Sequence, residues 1–337
     1  MPNGTTSTGG SCTTTSLHEA LIKRFLPAAR WVLTAVIILA AVYTLRHQVP
    51  NIGRVLRDLH PAWRYVFASA GLVLATYALL VETWRRVLGR LGGHLGFVHA
   101  CRAWFVSSLA RYIPGSLWQI GALGVLGKQY GVRPTVTAAS ALLMTILNVL
   151  TGMIVFAATG TRSVALGGRG IIAAALGVAA LALAPLAAPR LSRIASRILN
   201  RDVALPQLTV SAVLIGAAGP AIAWIAYGGA FELLRLGILG PSPNHSAMLD
   251  YVAVYTGSYL AGFLSIAPPA GLGIADAAMV ALIASFHLAT PAQATVLAVV
   301  VRLWRTVLEL TPGLLWMAFS PARGESPSDP ESSPTPR

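Results

Sequence analysis

Charge is what this sequence has least of. Acidic and basic side chains together make up 11% of its 337 residues, against about 25% in soluble domains. The deficit lies in long stretches rather than being spread evenly. That excludes a soluble globular fold and predicts an all-α polytopic membrane protein. Acidic residues are scarcer still: 11 Asp and Glu stand against 25 Lys and Arg, a net charge of +14. Such an excess can mark a nucleic-acid binder, but here the arginines stand at the ends of apolar runs, where positive-inside anchoring accounts for them. Membrane lipids, anionic ones above all, are the expected partners, and nucleic acid is not. Two cysteines, Cys12 and Cys101, are too few for a disulfide framework.

Catalytic signatures are missing as well. Gly121 to Lys128 is glycine-rich, but Ala122 stands where a phosphate-binding loop needs its first glycine, and Gln129 follows the lysine. Gly271-Leu272-Gly273 runs on to Asp276 rather than to a third glycine. The seven histidines show no metal-ligand spacing, and no nucleophile elbow occurs. The chain reads as a transporter or membrane scaffold without a cofactor, not as an enzyme.

What is present is apolar sequence, 55% of residues with a mean hydropathy of +0.68. Residues 1–18 and 320–337 are polar and predict disordered tails around a single transmembrane domain at 19–319. Within it, spans are expected at 27–45, 62–81, 136–159, 171–188, 208–234, 247–266 and 292–319, with an interfacial helix at 46–60. Scoring the interrupted segments either way gives about seven or eight crossings. The basic loop of Arg190, Arg193, Arg197 and Arg201 belongs in the cytoplasm, and the N-terminus with it. Trp31, Trp63, Trp84 and Trp316 read as belt anchors. Glu82 with Arg85, and Glu232 with Arg235, are spaced to pair along a helix. Asn148 reads as an interhelical hydrogen bond, and Gly257 with Ala261 as a close-packing pair.

Two breaks interrupt this pattern. Arg111-Tyr112-Ile113-Pro114-Gly115-Ser116-Leu117-Trp118-Gln119 follows an apolar piece at 97–109 and precedes another short one, 117–126. Ala267-Pro268-Pro269-Ala270-Gly271-Leu272-Gly273-Ile274-Ala275-Asp276 answers it downstream, before a short piece at 277–288. Pieces this short cannot cross alone. Irregular backbone survives at membrane depth only buried in protein or lining a wet cavity. Broken segments in corresponding places of two halves point to a transporter's central site and are compatible with an inverted repeat. Ser116 can cap the next half-helix, whose amides with Arg111 suit a lipid phosphate; a kinked packing helix with a snorkelling Arg111 is the plainer alternative. Asp276 suits the first turn of its helix whether or not it also has a functional part. Arg302, Arg305 and Glu309 lie deep in the last apolar helix, with Arg305 and Glu309 spaced to pair. They line either a polar path or a structural ion pair.

At these residues the chain resembles a known family, the transmembrane region of lysylphosphatidylglycerol synthases/flippases. Arg111-Tyr112-Ile113-Pro114-Gly115 matches that family's first motif, and Trp118 fits many members. Pro269 to Ala277 resembles its second motif, with Ala270 for a glycine, Ala275 for an arginine and Asp276 for a glutamate. Arg302 and Glu309 stand where the family has an arginine and an acid on one helix. The resemblance covers roughly residues 30–319 and implies the flippase-like membrane part alone. Lipid aminoacylation needs a large soluble C-terminal domain that this chain is not expected to contain.

The expected function is movement of an anionic lipid or lipid-linked sugar across the plasma membrane. The candidate site residues are Arg111, Tyr112, Pro114, Gly115, Ser116, Trp118, Gly271, Gly273, Asp276, Arg302, Arg305 and Glu309. The alternative is a non-catalytic accessory subunit that docks a glycosyltransferase or cell-envelope enzyme through the loop around Arg193.

Overall fold

The computed structural model describes residues 61–110, 118–160, 169–183, 209–241, 247–265 and 273–318. The expected first span, the interfacial helix, the basic loop at 190–201 and both tails lie outside the described residues. Within them the chain forms nine helices and no strand. They are α1 (Trp63–Arg90), α2 (Phe97–Leu109), α3 (Trp118–Gln129), α4 (Pro134–Thr159), α5 (Arg169–Leu183), α6 (Val210–Leu239), α7 (Met248–Leu264), α8 (Ile274–Ser285) and α9 (Pro291–Ala318). Among the described residues α1, α4 and α6 are long and apolar enough to cross a membrane. The 28-residue α9 matches them in length but is interrupted by charge.

The helices come in two like sets. A long helix, a short one, a break, a 12-residue helix and a long helix make up α1 to α4, and α6 to α9 repeat the order. The ends of α3 and α8 agree in detail. Gly131 and His287 both take positive φ, 78° and 52°. One residue later, Val132 N–H donates to the Gly127 carbonyl and Leu288 N–H to the Ile283 carbonyl, both at 3.0 Å. This is the left-handed helix stop closed by a six-residue hydrogen bond, with a buried apolar residue after it. A proline then opens the next helix in each half, Pro134 and Pro291, where the missing N–H costs nothing. Thr290 and Gln293 cap α9 reciprocally: Thr290 N–H donates to the Gln293 amide oxygen at 3.1 Å, and Gln293 N–H to the Thr290 hydroxyl at 3.4 Å.

The halves are inverted relative to each other. Along the seam between α1 and α6, Ala62 N–H donates to the Gly237 carbonyl at 2.8 Å and Ser69 Oγ to the Ala230 carbonyl at 2.8 Å. Thr83 then faces Gly219, and Arg90 donates to Ser211. One number rises as the other falls, so the two equivalent helices run antiparallel. The axis relating the halves is therefore perpendicular to the helices, the geometry of an inverted repeat. The outer helices cross over accordingly. Phe156 of α4 packs on Gly257 of α7, and Phe105 and Leu109 of α2 pack on Gly313 of α9. Small residues permit each approach, as membrane packing requires.

Three expectations change. Trp84 is no belt anchor; it is fully buried and donates to Ser140 Oγ at 3.0 Å. Arg235 turns away from Glu232: it is 4% exposed, donates to the Gly240 carbonyl at 3.2 Å and lies over the Tyr251 ring. Helix spacing made the pair available, but the packed ring and the free carbonyls at the helix end hold the guanidinium better. At Asn148 the interhelical bond is made by the main-chain carbonyl, which accepts from Trp224 Nε1 at 3.1 Å. Trp63, 60% exposed, keeps its place at the surface. Glu82 pairs with Arg85 as expected, at 2.7 Å, and with Arg86 too.

The glycine seam makes a sharp prediction. A Cβ on Gly228 would meet the main chain of Val252 at 2.5 Å, whereas one on Gly71, on α1, would meet nothing. Gly228→Ala should destabilise the folded bundle by about 1–3 kcal/mol, read as a lower melting temperature in detergent. Gly71→Ala should leave that temperature unchanged or raise it.

Candidate functional site

Three ionised side chains occupy the middle of α9, and each is satisfied differently. Arg302 Nε donates to Asp276 Oδ1 at 2.7 Å, joining α9 to the first turn of α8. The other oxygen, Oδ2, accepts from Gly273 N–H at 3.2 Å. Asp276 therefore both caps α8 and anchors α9, and the two readings its position allowed are compatible. Gly273 carries φ 82°, the left-handed conformation glycine adopts without penalty. It lets the chain turn into α8 immediately after the second break.

Arg305 is held by rings. Its guanidinium lies over Tyr259 of α7, 4.8 Å from the ring centre, a contact worth about 0.5–2 kcal/mol. Glu309 lies one turn on, with Arg305 Nε and Glu309 Oε2 3.9 Å apart. The expected pair is present, but as a loose one. The Glu309 side chain is 13% exposed and that of Arg305 33%, so the acid is the more enclosed of the two.

Around Arg305 the helices contribute aromatic side chains that sequence spacing alone did not single out. Tyr77 of α1 meets Phe105 of α2 and Tyr227 of α6, with ring centres 6.1 and 6.2 Å apart. Trp224 of α6 meets Tyr259 of α7 at 5.0 Å, and Tyr227 stacks on Tyr255 at 5.4 Å. Tyr77–Phe105 joins the long and short helices of the first half and Trp224–Tyr259 those of the second, and the Tyr77–Tyr227 contact joins the halves. A signal for this clustering did exist. Tyr251, Tyr255, Tyr259 and Phe263 recur every fourth residue, one stripe on α7. A cavity of about 20 Å³ opens between α1, α6, α7 and α9, with Tyr227, Tyr255, Trp304 and Arg305 in its wall. That is room for one or two water-sized groups.

Residues 111–117 and 266–272, which hold the two sequence breaks, lie outside the described residues. α9 touches the helices that border them. Its Gly313 meets the end of α2 and its Arg302 the start of α8. Eleven helical residues separate those contacts, about 16 Å along the axis. Of the predicted site residues, Gly273, Asp276 and Arg302 are brought together, and Arg305 lies beside Glu309. Arg111, Tyr112, Pro114, Gly115, Ser116 and Gly271 lie outside the described residues, as does the side chain of Trp118.

The Arg302–Asp276 bridge can be isolated by a charge swap. Arg302→Asp or Asp276→Arg alone should lower the melting temperature in detergent, and the double swap should recover part of the loss. The coupling expected for partners in direct contact is about 0.5–3 kcal/mol. Additive losses would show that the bridge contributes nothing.

The family model for the lysylphosphatidylglycerol synthase transmembrane region matches residues 30–313. A comparison with curated proteins gives no match. The matched stretch spans every described helix except the last residues of α9, both breaks, and the charged centre of α9. On that match, this chain belongs to the lysylphosphatidylglycerol synthase transmembrane-region family, and it is a membrane protein concerned with lipids.

Proposed function

We propose that the protein carries an anionic lipid or a lipid-linked sugar from one leaflet of the plasma membrane to the other. The observation that carries this reading is Arg305, a half-buried guanidinium in the middle of a membrane-length helix, in the wall of a small cavity. Ionisable groups at such depth are costly and commonly mark a substrate path. The inverted halves add support, because transporters of this construction bind substrate where the repeats meet and expose it alternately to either side. The family's flippase-like membrane region points the same way.

In this reading Arg111 and the helix start after Ser116 hold the headgroup phosphate. Tyr112, Pro114, Gly115 and Trp118 form one wall of the path, and Gly271 and Gly273 the other. The Arg302–Asp276 bridge and the Arg305–Glu309 pair bias the gate. The lipid's acyl chains remain in the bilayer while only the headgroup traverses the protein, so no enclosed volume large enough for a whole lipid is needed.

Reconstitution tests this directly. In vesicles carrying headgroup-labelled phosphatidylglycerol, the wild-type protein should make inner-leaflet label accessible to a membrane-impermeant quencher. Arg305→Gln and Arg111→Ala should each slow that exposure about tenfold or more, as expected for loss of a charge-assisted contact. Rates equal to wild type in both variants would sink the proposal.

A further inference from the structure

The inverted halves carry unequal charge at their equivalent ends. In the first half α1 ends, α2 begins and α3 turns into α4 at one place. Leu91, Ala100 and Val132 share a core there, and the His99 and Tyr130 rings lie 4.6 Å apart. The second half repeats the arrangement with Leu239, Tyr251, Leu288 and Ala294. Each short pair, α2–α3 and α7–α8, therefore returns to the end from which it started. Because α1 and α6 are antiparallel, the two pairs enter the bundle from opposite ends. The first end holds Arg85, Arg86, Arg90, Arg102, Lys128 and Arg133 against one acid, Glu82. The corresponding stretches of the second half, 229–256 and 282–293, hold Arg235 against Glu232 and Asp250. Arg235 is buried over Tyr251 and unable to reach a headgroup. Even with Arg64 of α1 and Arg169 of α5 added, that end has half as many cations as the first. The shared backbone needs charge at neither end, so the contrast reflects what each end meets. Beside the cations the first end also exposes apolar side chains: Phe97 at 44%, Val98 at 59%, and Val125, one turn before Lys128, at 65%. An acidic protein surface would leave that collar in water. A leaflet of anionic lipid covers it with acyl chains and meets the cations with headgroups, which long basic side chains reach by snorkelling.

We propose that this end faces the cytoplasm and that Arg86, Arg90, Lys128 and Arg133, all exposed, hold anionic phospholipid headgroups of the inner leaflet. Arg86 is 60% exposed even while paired with Glu82. Arg90 donates to Ser211 at the start of α6, and the arginines 190, 193, 197 and 201 immediately precede that helix in the chain, so they add to the same end. The assignment orients the whole bundle. The α2–α3 pair enters from the cytoplasmic side and α7–α8 from the opposite one. α9 begins beside the end of α8 and finishes on the cytoplasmic side. The inference goes beyond the transport reading and stands without it.

Gln129 and Ser285 make the test symmetric, since they are the exposed last residues of α3 and α8. In a background of Cys12→Ser and Cys101→Ala, Gln129→Cys and Ser285→Cys are offered a membrane-impermeant maleimide in spheroplasts. Ser285→Cys should react at once, and Gln129→Cys only after permeabilisation. Any other pattern in intact spheroplasts overturns the orientation. The headgroup contact is tested on the full-length protein in nanodiscs of phosphatidylcholine, with or without phosphatidylglycerol. Phosphatidylglycerol should raise the wild-type melting temperature by several degrees, and about 1 M salt should remove most of that gain. Arg86→Gln, Arg90→Gln, Lys128→Gln and Arg133→Gln combined should also remove most of it, whereas Arg64→Gln should keep it. Equal gains in wild type and the fourfold variant overturn the headgroup contact. No gain in the wild type overturns it too and leaves an acidic protein segment as the partner of this end. Neither readout depends on lipid movement, so failure of the vesicle assay would sink the transport reading alone.

Discussion

The structure depends on the close approach of α1 and α6. Lipid tails are as apolar as leucine, so two helices in a membrane gain little by hiding apolar side chains from them. They associate when their backbones come near enough for dense packing and for hydrogen bonds between helices. Gly219 and Gly237 of α6 open that approach towards α1, Gly216 lies between Leu147 of α4 and Val87 of α1, and Gly228 opens the approach to α7. Because α1 and α6 are equivalent members of the two halves, their antiparallel contact fixes the inversion. The inversion in turn sets α4 against α7 and α9 against α2.

That symmetry belongs to the backbone and not to the chemistry. If Pro134 is aligned with Pro291, then Arg302, Arg305 and Glu309 of α9 correspond to Thr145, Asn148 and Gly152 of α4. On α4 these positions serve packing. The Asn148 carbonyl accepts from Trp224, and Gly152 lies under the same indole. On α9 they hold charge. A near-symmetric scaffold thus carries charge on α9 at positions where α4 carries packing residues.

The charges of α9 are accommodated by three different means. Arg302 has a carboxylate at hydrogen-bond distance, Arg305 has a tyrosine face and a more distant acid, and Glu309 is enclosed beside them. A close ion pair is the stiffest of these arrangements and suits a joint between α8 and α9. A guanidinium resting on a ring is easier to move, since the ring attracts it without a fixed direction. The distinction separates the residue that ties α9 to the start of α8 from the one that lines the cavity.

Much of this was legible in the sequence because it is local. The apolar runs, the prolines opening α4 and α9, the acid in the first turn of α8 and the two short broken segments each follow from a few neighbouring residues and the absence of water in the bilayer. The expectation of charge inside the last helix was equally local. What required the folded chain is everything that joins distant residues. The pairing of Asp276 with Arg302, the capture of Arg235 by Tyr251, the burial of Trp84 and the gathering of Tyr77, Tyr227, Tyr255 and Tyr259 all depend on which helix faces which. Sequence alone determined that this chain is a helical membrane protein with two interruptions and stranded charges. Tertiary structure decided the partners of those charges, because a side chain's periodicity gives its face on a helix but never the neighbour that face will meet.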